Sequence, residues 1–136
     1  MRLLKTLSPI FCFLLLTGCD FFDDRLIINN KSNSNIYAAF TNDTVLSLYS
    51  NRTFMIAGNH IEAHNKRNII EPDSRKAWEV LANKSFNKEL HIFILIEDTL
   101  KKYEPNEIIK LKKFEKRIDI GVKELEASNW EIIYEK

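Results

Sequence analysis

The strongest constraint on the fold is a run of five apolar residues, Ile92-Phe93-Ile94-Leu95-Ile96, within the segment Leu90 to Glu97. β-Branched and aromatic side chains favour extended backbone, and successive side chains of a strand point to opposite faces. A strand apolar at every position therefore needs cover on both faces and belongs in the middle of the structure. The segments around it are shorter. Leu26, Ile27 and Ile28 carry a strand over Arg25 to Asn29. From Asn35 to Thr41, Ile36, Ala38 and Phe40 alternate with Tyr37 and Ala39. Joined by the polar stretch Asn30 to Asn35, these two predict a first hairpin. Thr44 to Tyr49, with Val45, Leu46, Leu48 and Tyr49, fits a strand or one helical turn equally well. Arg67 to Glu71 reads as a strand stopped by Pro72, after which Asp73-Ser74 can cap a short helix presenting Ala77, Trp78, Leu81 and Ala82. Glu104-Pro105-Asn106-Glu107 starts a helix with proline in its first turn. Lys112 to Ile120 predicts a strand with Phe114, Ile118 and Ile120 on one face. Gly121 to Asn129 predicts a short helix with Val122 and Leu125 inward, Glu124 in the capping-box position and Asn129 at its end. Trp130, Ile132 and Tyr134 then alternate with Glu131, Ile133 and Glu135 in a last strand. Six or seven short strands with two or three short helices predict a mainly β domain. The expected architecture is an antiparallel β-sandwich or twisted sheet with helices in its connections, and the alternative is α+β.

This domain must hold without disulfides. The chain has two cysteines, Cys12 and Cys19. Arg2 and Lys5 form a positive n-region, Leu7 to Leu16 an apolar stretch interrupted by Ser8 and Pro9, and Leu16-Thr17-Gly18-Cys19 follows. This is the layout of a secretory signal, and its end resembles a bacterial lipobox. The resemblance implies a diacylglycerol thioether on Cys19, cleavage between Gly18 and Cys19, and acylation of the new amino group by a palmitate-type chain. An uncleaved membrane helix fits poorly, because the apolar run from Thr6 to Thr17 is 12 residues and a span needs about 20. The expected organisation is a signal peptide over 1–18, a lipidated N-terminus and short tether over 19–24, and a single globular domain over 25–136. Cys12 then leaves with the leader and the Cys19 sulfur is occupied, which excludes both an intramolecular disulfide and a cysteine zinc site. Loss of Arg2 and Lys5 changes the net charge from +1 to −1, 18 basic residues against 19 acidic. So balanced a charge gives no reason to expect nucleic acid as a partner.

Few side chains suggest chemistry. His60-Ile61-Glu62-Ala63-His64 is the only clustered ligand set. On extended backbone residues 60, 62 and 64 point to one side, and two imidazoles with a carboxylate make a zinc set with an open position. The glutamate is one place away from its position in the helical HExxH motif, and the flanking Gly58-Asn59 and Asn65-Lys66-Arg67 read as a polar loop. The sequence thus predicts no metal and no cofactor, with this set as the alternative. Lys101, Lys102, Lys110, Lys112, Lys113, Lys116 and Arg117 form a basic stretch that reads as a solvated strand edge, where lysines discourage edge-to-edge pairing. Trp78, Trp130, Phe93, Phe114 and Tyr134 read as core, whereas Tyr37 and Tyr49 are candidates for a binding face. Asp20, Asp23 and Asp24 read as solvation of the tether, since calcium would need a glycine-turned loop. His91 opens a buried strand. A G-x-S-x-G turn and a phosphate-cradling glycine loop are both missing from the sequence. No catalytic residue is predicted.

Several fragments occur in a recognisable order: Ile27-Ile28-Asn29-Asn30-Lys31-Ser32, Asn35-Ile36-Tyr37, Ile70-Glu71-Pro72-Asp73-Ser74, Trp78-Glu79, Leu90-His91-Ile92-Phe93-Ile94, Asp98-Thr99-Leu100, and Leu125 with Asn129-Trp130-Glu131-Ile132-Ile133-Tyr134. Over most of the chain beyond Cys19 this order resembles the small envelope lipoproteins common in the Bacteroidetes, a family to which no activity is assigned. The resemblance implies a lipid-anchored protein facing the periplasm or the cell surface. It also implies O-glycosylation at Asp-(Ser/Thr)-aliphatic triplets, which Asp43-Thr44-Val45 and Asp98-Thr99-Leu100 match at Thr44 and Thr99. The expected function is a non-enzymatic binding or structural module of the envelope. Its partners would be the bilayer, through Cys19, and an envelope protein or glycan. The alternatives are an immunity or inhibitor lipoprotein acting against a toxin or hydrolase, and a metal-dependent enzyme built on His60, Glu62 and His64.

Overall fold

A computed structural model describes residues 22–47, 59–72 and 74–136. In chain order they form strands β1 (Phe22–Asp23), β2 (Ile27–Asn30), β3 (Ile36–Thr41), β4 (His60–Ile61), β5 (Lys66–Asn68) and β6 (Glu71–Pro72), then helix α1 (Ala77–Lys84) and strand β7 (Glu89–Ile96). Helices α2 (Glu97–Lys102) and α3 (Pro105–Lys110), strand β8 (Lys116–Gly121), helix α4 (Val122–Ala127) and strand β9 (Glu131–Tyr134) complete the order. The fold is mainly β with short helices.

The doubly apolar run lies where its composition demands. β7 is the longest described strand and sits inside an antiparallel sheet of order β4-β3-β7-β8. Leu90, Ile92 and Ile94 enter one core with Ile36 and Ala38 of β3, Ile28 of β2, Trp78 of α1, Leu125 of α4, and Ile132 and Tyr134 of β9. Phe93 and Leu95 face the other way, into a second core closed by Ala39, Leu46, Leu100 of α2 and Ile108 of α3. The central sheet is thus covered on both sides. One cover is a three-stranded sheet, β5-β2-β9, in which β2 runs antiparallel to β5 and parallel to β9. The other is the α2–α3 pair. Burial of each large side chain of β7 contributes roughly 1.5–3 kcal/mol. Truncation of Phe93, packed edge-on to Phe114 at 4.9 Å, would cost about 3–5 kcal/mol.

Five local expectations change in the structure. β2 and β3 do not form a hairpin: β2 pairs with β5 and β9, β3 with β4 and β7. Ile28 and Ile36 instead meet across the first core, so the chain turns a corner between layers. Phe114 leaves the face of Ile118 and Ile120. β8 begins only at Lys116, and the left-handed turn at Lys112 (φ 49°) directs Phe114 into the second core. The segment Arg67 to Glu71 splits, pairing with β2 through residue 68 and then with β1 from residue 71. The helix after Pro72 has Lys76, not Asp73-Ser74, at its N-cap. Ser74 Oγ accepts the Lys76 N–H at 3.2 Å. Residues 44–47 are neither strand nor helix, and Leu48 and Tyr49 lie outside the described residues.

The expected ends of α3 and α4 are present. Pro105 occupies the first turn of α3, and Glu107 reaches back to the Glu104 N–H at 3.3 Å. In α4, Glu124 accepts the Gly121 N–H at 2.9 Å. That helix closes with Asn129 in left-handed backbone (φ 52°), where Trp130 N–H returns to the Leu125 carbonyl at 2.7 Å and Asn129 N–H to Glu126 at 3.1 Å. This is the crossed pair of bonds that terminates many helices at a left-handed residue.

Candidate functional site

The asparagine-rich corner between β2 and β3 is the most elaborate polar assembly among the described residues. Asn30 ends β2 with its side chain fully buried. Its Nδ2 donates to the carbonyls of Ser34 (2.8 Å), Glu62 (3.0 Å) and Ile61 (3.3 Å), and its Oδ1 accepts from the Ser32 hydroxyl (2.7 Å) and N–H (3.1 Å). One amide thereby ties the corner to the turn after β4. A second bracket is Asn35, whose Oδ1 accepts the Ala63 N–H (3.0 Å) while its Nδ2 donates to Glu97 Oε2 (2.8 Å) at the start of α2. With Lys101 Nζ 3.1 Å from Glu97 Oε1, these contacts hold the Glu97 carboxyl below its usual pKa, the Asn35 hydrogen bond contributing most. Two open polar hollows flank the brackets. One, of about 170 Å³, is lined by residues 60–62 and 65–67. The other, of about 220 Å³, is lined by Asn33, Ser34, Asn35, Ile96, Glu97 and Asp98. A rim rich in amides and carboxylates offers hydrogen bonds to polar groups of a partner.

The set His60, Glu62 and His64 does not converge. β4 is two residues long, and the turn closed by Asn65 N–H on the Glu62 carbonyl (3.2 Å) puts His64 in left-handed backbone (φ 58°). The alternation that would align the three side chains therefore stops after Ile61. His60 lies against the Tyr37 ring (4.8 Å between centroids) with Nε2 3.8 Å from Glu97 Oε2, Glu62 is exposed, and His64 Nε2 meets Asn33 Oδ1 at 2.9 Å. Among the described residues there is no group of three or more His, Cys, Asp or Glu placed to hold a metal. Tyr37 is half-buried between His60 and the second core.

A different constellation escaped the sequence. His91 is buried; its Nδ1 lies 2.8 Å from Asp119 Oδ1 and its Nε2 3.2 Å from Ser85 Oγ. The carboxylate on Nδ1 fixes the proton there, so Nε2 accepts from the serine hydroxyl. The order Ser85-His91-Asp119 is that of a hydrolytic triad. Two features argue for a structural role. The N–H of Ser85 is committed to the Ala82 carbonyl at 3.0 Å, so it is not available to an oxyanion. Ser85 itself is 6% exposed. Burial alone would push the Asp119 carboxyl up, but hydrogen bonds from His91 and Arg117 hold it below the ordinary range. The network joins the end of α1 to β7 and β8.

The remaining predicted positions separate. Gly18, Cys19 and Asp20 lie outside the described residues. Thr44 is exposed in irregular backbone, whereas Thr99 is half-buried inside α2 beside buried Leu100. Of the basic stretch only Lys116 and Arg117 lie on a strand edge, exposed on β8; Lys101 and Lys102 fall in α2, Lys110 in α3, and Lys112 and Lys113 in the connection before β8, so the stretch is not one strand edge. Lys113 covers the Tyr103 ring at 4.1 Å. Asp23 is not tether. It is 2% exposed, accepts two hydrogen bonds from the Arg25 guanidinium (2.7 and 2.8 Å) and takes the Trp78 N–H at 3.4 Å. Among the described residues, Phe22 and Asp23 are thus part of the folded domain, although both precede the expected boundary at residue 25. No helix among the described residues is long and apolar enough to cross a membrane. Comparison with known family models, curated proteins and solved structures finds no match to this chain.

Proposed function

We propose that this chain is a lipid-anchored lipoprotein of the bacterial cell envelope, a non-enzymatic binding module held to a membrane through acylated Cys19 and facing the periplasm or the cell surface. The observation that carries the reading is the leader ending in Leu16-Thr17-Gly18-Cys19. Each methylene buried in a bilayer contributes about 0.8 kcal/mol, which makes one chain a weak anchor and two or three a lasting one. Confinement raises the local concentration of a partner in the same envelope. The partner surface is the asparagine-rich corner, whose amides and carboxylates suit a polar protein segment or a glycan. Metabolic labelling with palmitate tests the anchor: the chain is expected to carry the label, and Cys19→Ser to lose it and leave the detergent phase. An unlabelled chain, or a Cys19→Ser variant that partitions as before, overturns the reading.

A further inference from the structure

The three-stranded sheet has two open sides, and they differ in charge. Its order β5-β2-β9 leaves β5 and β9 each paired on one side only among the described residues. The Asn65 carbonyl and the Ile69 N–H bond the chain of β2 at 2.9 and 2.8 Å. Backbone groups alternate in direction along a strand, so those of Lys66 and Asn68 point off the edge. On β9 the carbonyls of Trp130 and Tyr134 accept from Ile27 (2.8 Å) and Lys31 (2.7 Å), which turns the backbone groups of Glu131 and Ile133 off the opposite edge. The Glu131 N–H returns to the Ser128 carbonyl at 3.1 Å. Lys66, Asn68 and Ile133 are exposed, as is Glu135 just beyond β9. Lys136 is held by Glu115 at 2.6 Å, and Glu62, in the turn before β5, lies 3.5 Å from Asn65 Nδ2. No ion pair among the described residues engages Lys66, Glu131 or Glu135.

From these two edges we infer that β9 of one copy pairs with β5 of a second copy of this chain, so that the sheet continues from molecule to molecule. Strand sense permits it. β2 is antiparallel to β5 and parallel to β9, so copies side by side in one orientation bring β9 and β5 together antiparallel. Register permits it as well. Asn68 and Glu131 both sit opposite Ile27, and Lys66 and Ile133 both opposite Asn29. Level copies therefore set Ile133 opposite Lys66, each with its N–H and C=O aimed at the other, and Glu131 opposite Asn68, whose N–H meets the Glu131 carbonyl. All four side chains lie on the face away from buried Ile28. Lys66 is then diagonal to Glu131 and Glu135, a spacing that long side chains bridge. Pairing two β5 edges would set lysine near lysine, and two β9 edges glutamate near glutamate, so charge selects the mixed contact. The contact is head-to-tail and extends into a row or closes into a ring. It goes beyond the lipoprotein reading and does not depend on it, although confinement to one membrane would raise the effective concentration of copies.

The test uses the full-length chain, with its lipid where it carries one, in a detergent matched in density to the buffer. Sedimentation equilibrium is read from about 10 μM to about 1 mM protein, the range of a small interface. The mean mass is expected to rise past that of a dimer, and the association constant to fall at least about threefold between about 50 mM and about 500 mM salt. Lys66→Glu, and separately Glu131→Lys with Glu135→Lys, should each lower the constant at least about tenfold, and an equimolar mixture of the two variants should recover it. Ile133→Pro removes an edge N–H that β2 does not use and should have the same effect as either charge reversal. Unshifted emission of the buried Trp78 and Trp130 reports an intact fold in each variant. A chain that stays monomeric throughout, an assembly that ends at a dimer, charge variants that associate as the wild type does, or a mixture no better than its components overturns the inference.

Discussion

Replacing Asn30 by aspartate changes one NH2 to an oxygen at almost constant shape, and the structure fixes what that oxygen would meet. The amide orientation is settled by its partners, since Nδ2 faces three carbonyl oxygens and Oδ1 faces the two donors of Ser32. Asn30→Asp keeps the Ser32 contacts and puts an anion against the carbonyls of Ser34, Ile61 and Glu62. An uncompensated buried charge costs about 3–5 kcal/mol, a large share of the roughly 5–15 kcal/mol that holds a domain together. Protonation relieves part of the cost, because a neutral carboxyl can donate to one of the three carbonyls. The carboxyl pKa in the folded variant therefore lies above its unfolded value of about 3.9. With the folded pKa raised, the contribution to stability is fully present below the unfolded pKa and is lost as pH rises through the folded one, by about 1.4 kcal/mol for each unit of difference. Asn30→Ala deletes the same bonds without adding charge and should cost about 2–4 kcal/mol at every pH, at about 1 kcal/mol per net bond with some partners rehydrated. Urea titrations at pH 4.5, 5.5 and 7, followed by the emission of buried Trp78 and Trp130, measure both differences from the wild type. If the Asn30→Asp penalty is the same at all three pH values, or below about 1 kcal/mol at pH 7, the corner is not the buried junction described above.

Other consequences are more local. Burial would raise the Asp23 carboxyl, but hydrogen bonds from Arg25 and the Trp78 N–H hold it below its usual value, and Asp119 and Glu97 are likewise lowered. Their stabilisation is present above the unfolded carboxylate pKa of about 4 and lost as pH falls through the depressed folded values. Arg25→Met should therefore destabilise the domain by about 2–4 kcal/mol at neutral pH and start acid unfolding at a higher pH; an unchanged acid transition by circular dichroism would refute the clamp. His91→Phe, which removes the partner of the Ser85 hydroxyl and leaves Asp119 only its Arg117 contacts, should cost about 2–3 kcal/mol in thermal or urea unfolding. A fluorophosphonate probe should leave the native protein unlabelled, and labelling that disappears in Ser85→Ala would instead make the Ser85-His91-Asp119 network catalytic. In native protein, mass spectrometry should find any O-glycan on exposed Thr44 and not on Thr99, whose triplet is wound into α2 with Leu100 buried; the opposite pattern would contradict that selection.

The sequence reveals the fold where one periodicity dominates. β7 is legible because a strand apolar at each position has only one kind of place to go, and α3 and α4 are legible because Pro105, Glu124 and Asn129 are local signals. What fails is pairing. Nothing in Asn30 to Asn35 distinguishes a hairpin turn from a corner between layers, since the deciding bonds of Asn30 reach residues 61 and 62. Parity fails for the same reason at Phe114, where one left-handed residue outside the strand reverses the face. The ligand set at 60, 62 and 64 assumed an extended chain that ends at Ile61. Ser85, His91 and Asp119 could not be grouped from sequence at all, because the register of β7 against β8, with His91 opposite Asp119, is what joins two of them. A signal was present only in the type: a histidine inside an apolar strand needs a buried partner.

Asp23 links the folding problem to the anchoring problem. Read as part of an acidic tether ending at residue 24, it would leave the domain attached at Arg25, six positions after Cys19 and at most about 21 Å along the chain. Paired inward with Arg25, whose guanidinium also bonds Glu79 of α1 and lies 4.0 Å above the Trp130 ring, it stitches the first strand to helix and core and fixes Phe22, three positions after Cys19. Since the volume open to a tethered body grows with the cube of its reach, this pairing lowers the upper bound on that volume by roughly eightfold on those extended lengths. For the lipoprotein proposed above, an ion pair that contributes substantially to folding would have a second effect, on how far the domain can stand from its anchor. Arg25→Met would then reduce the quenching of a tryptophan at position 22 by brominated lipid even under conditions where the domain remains folded.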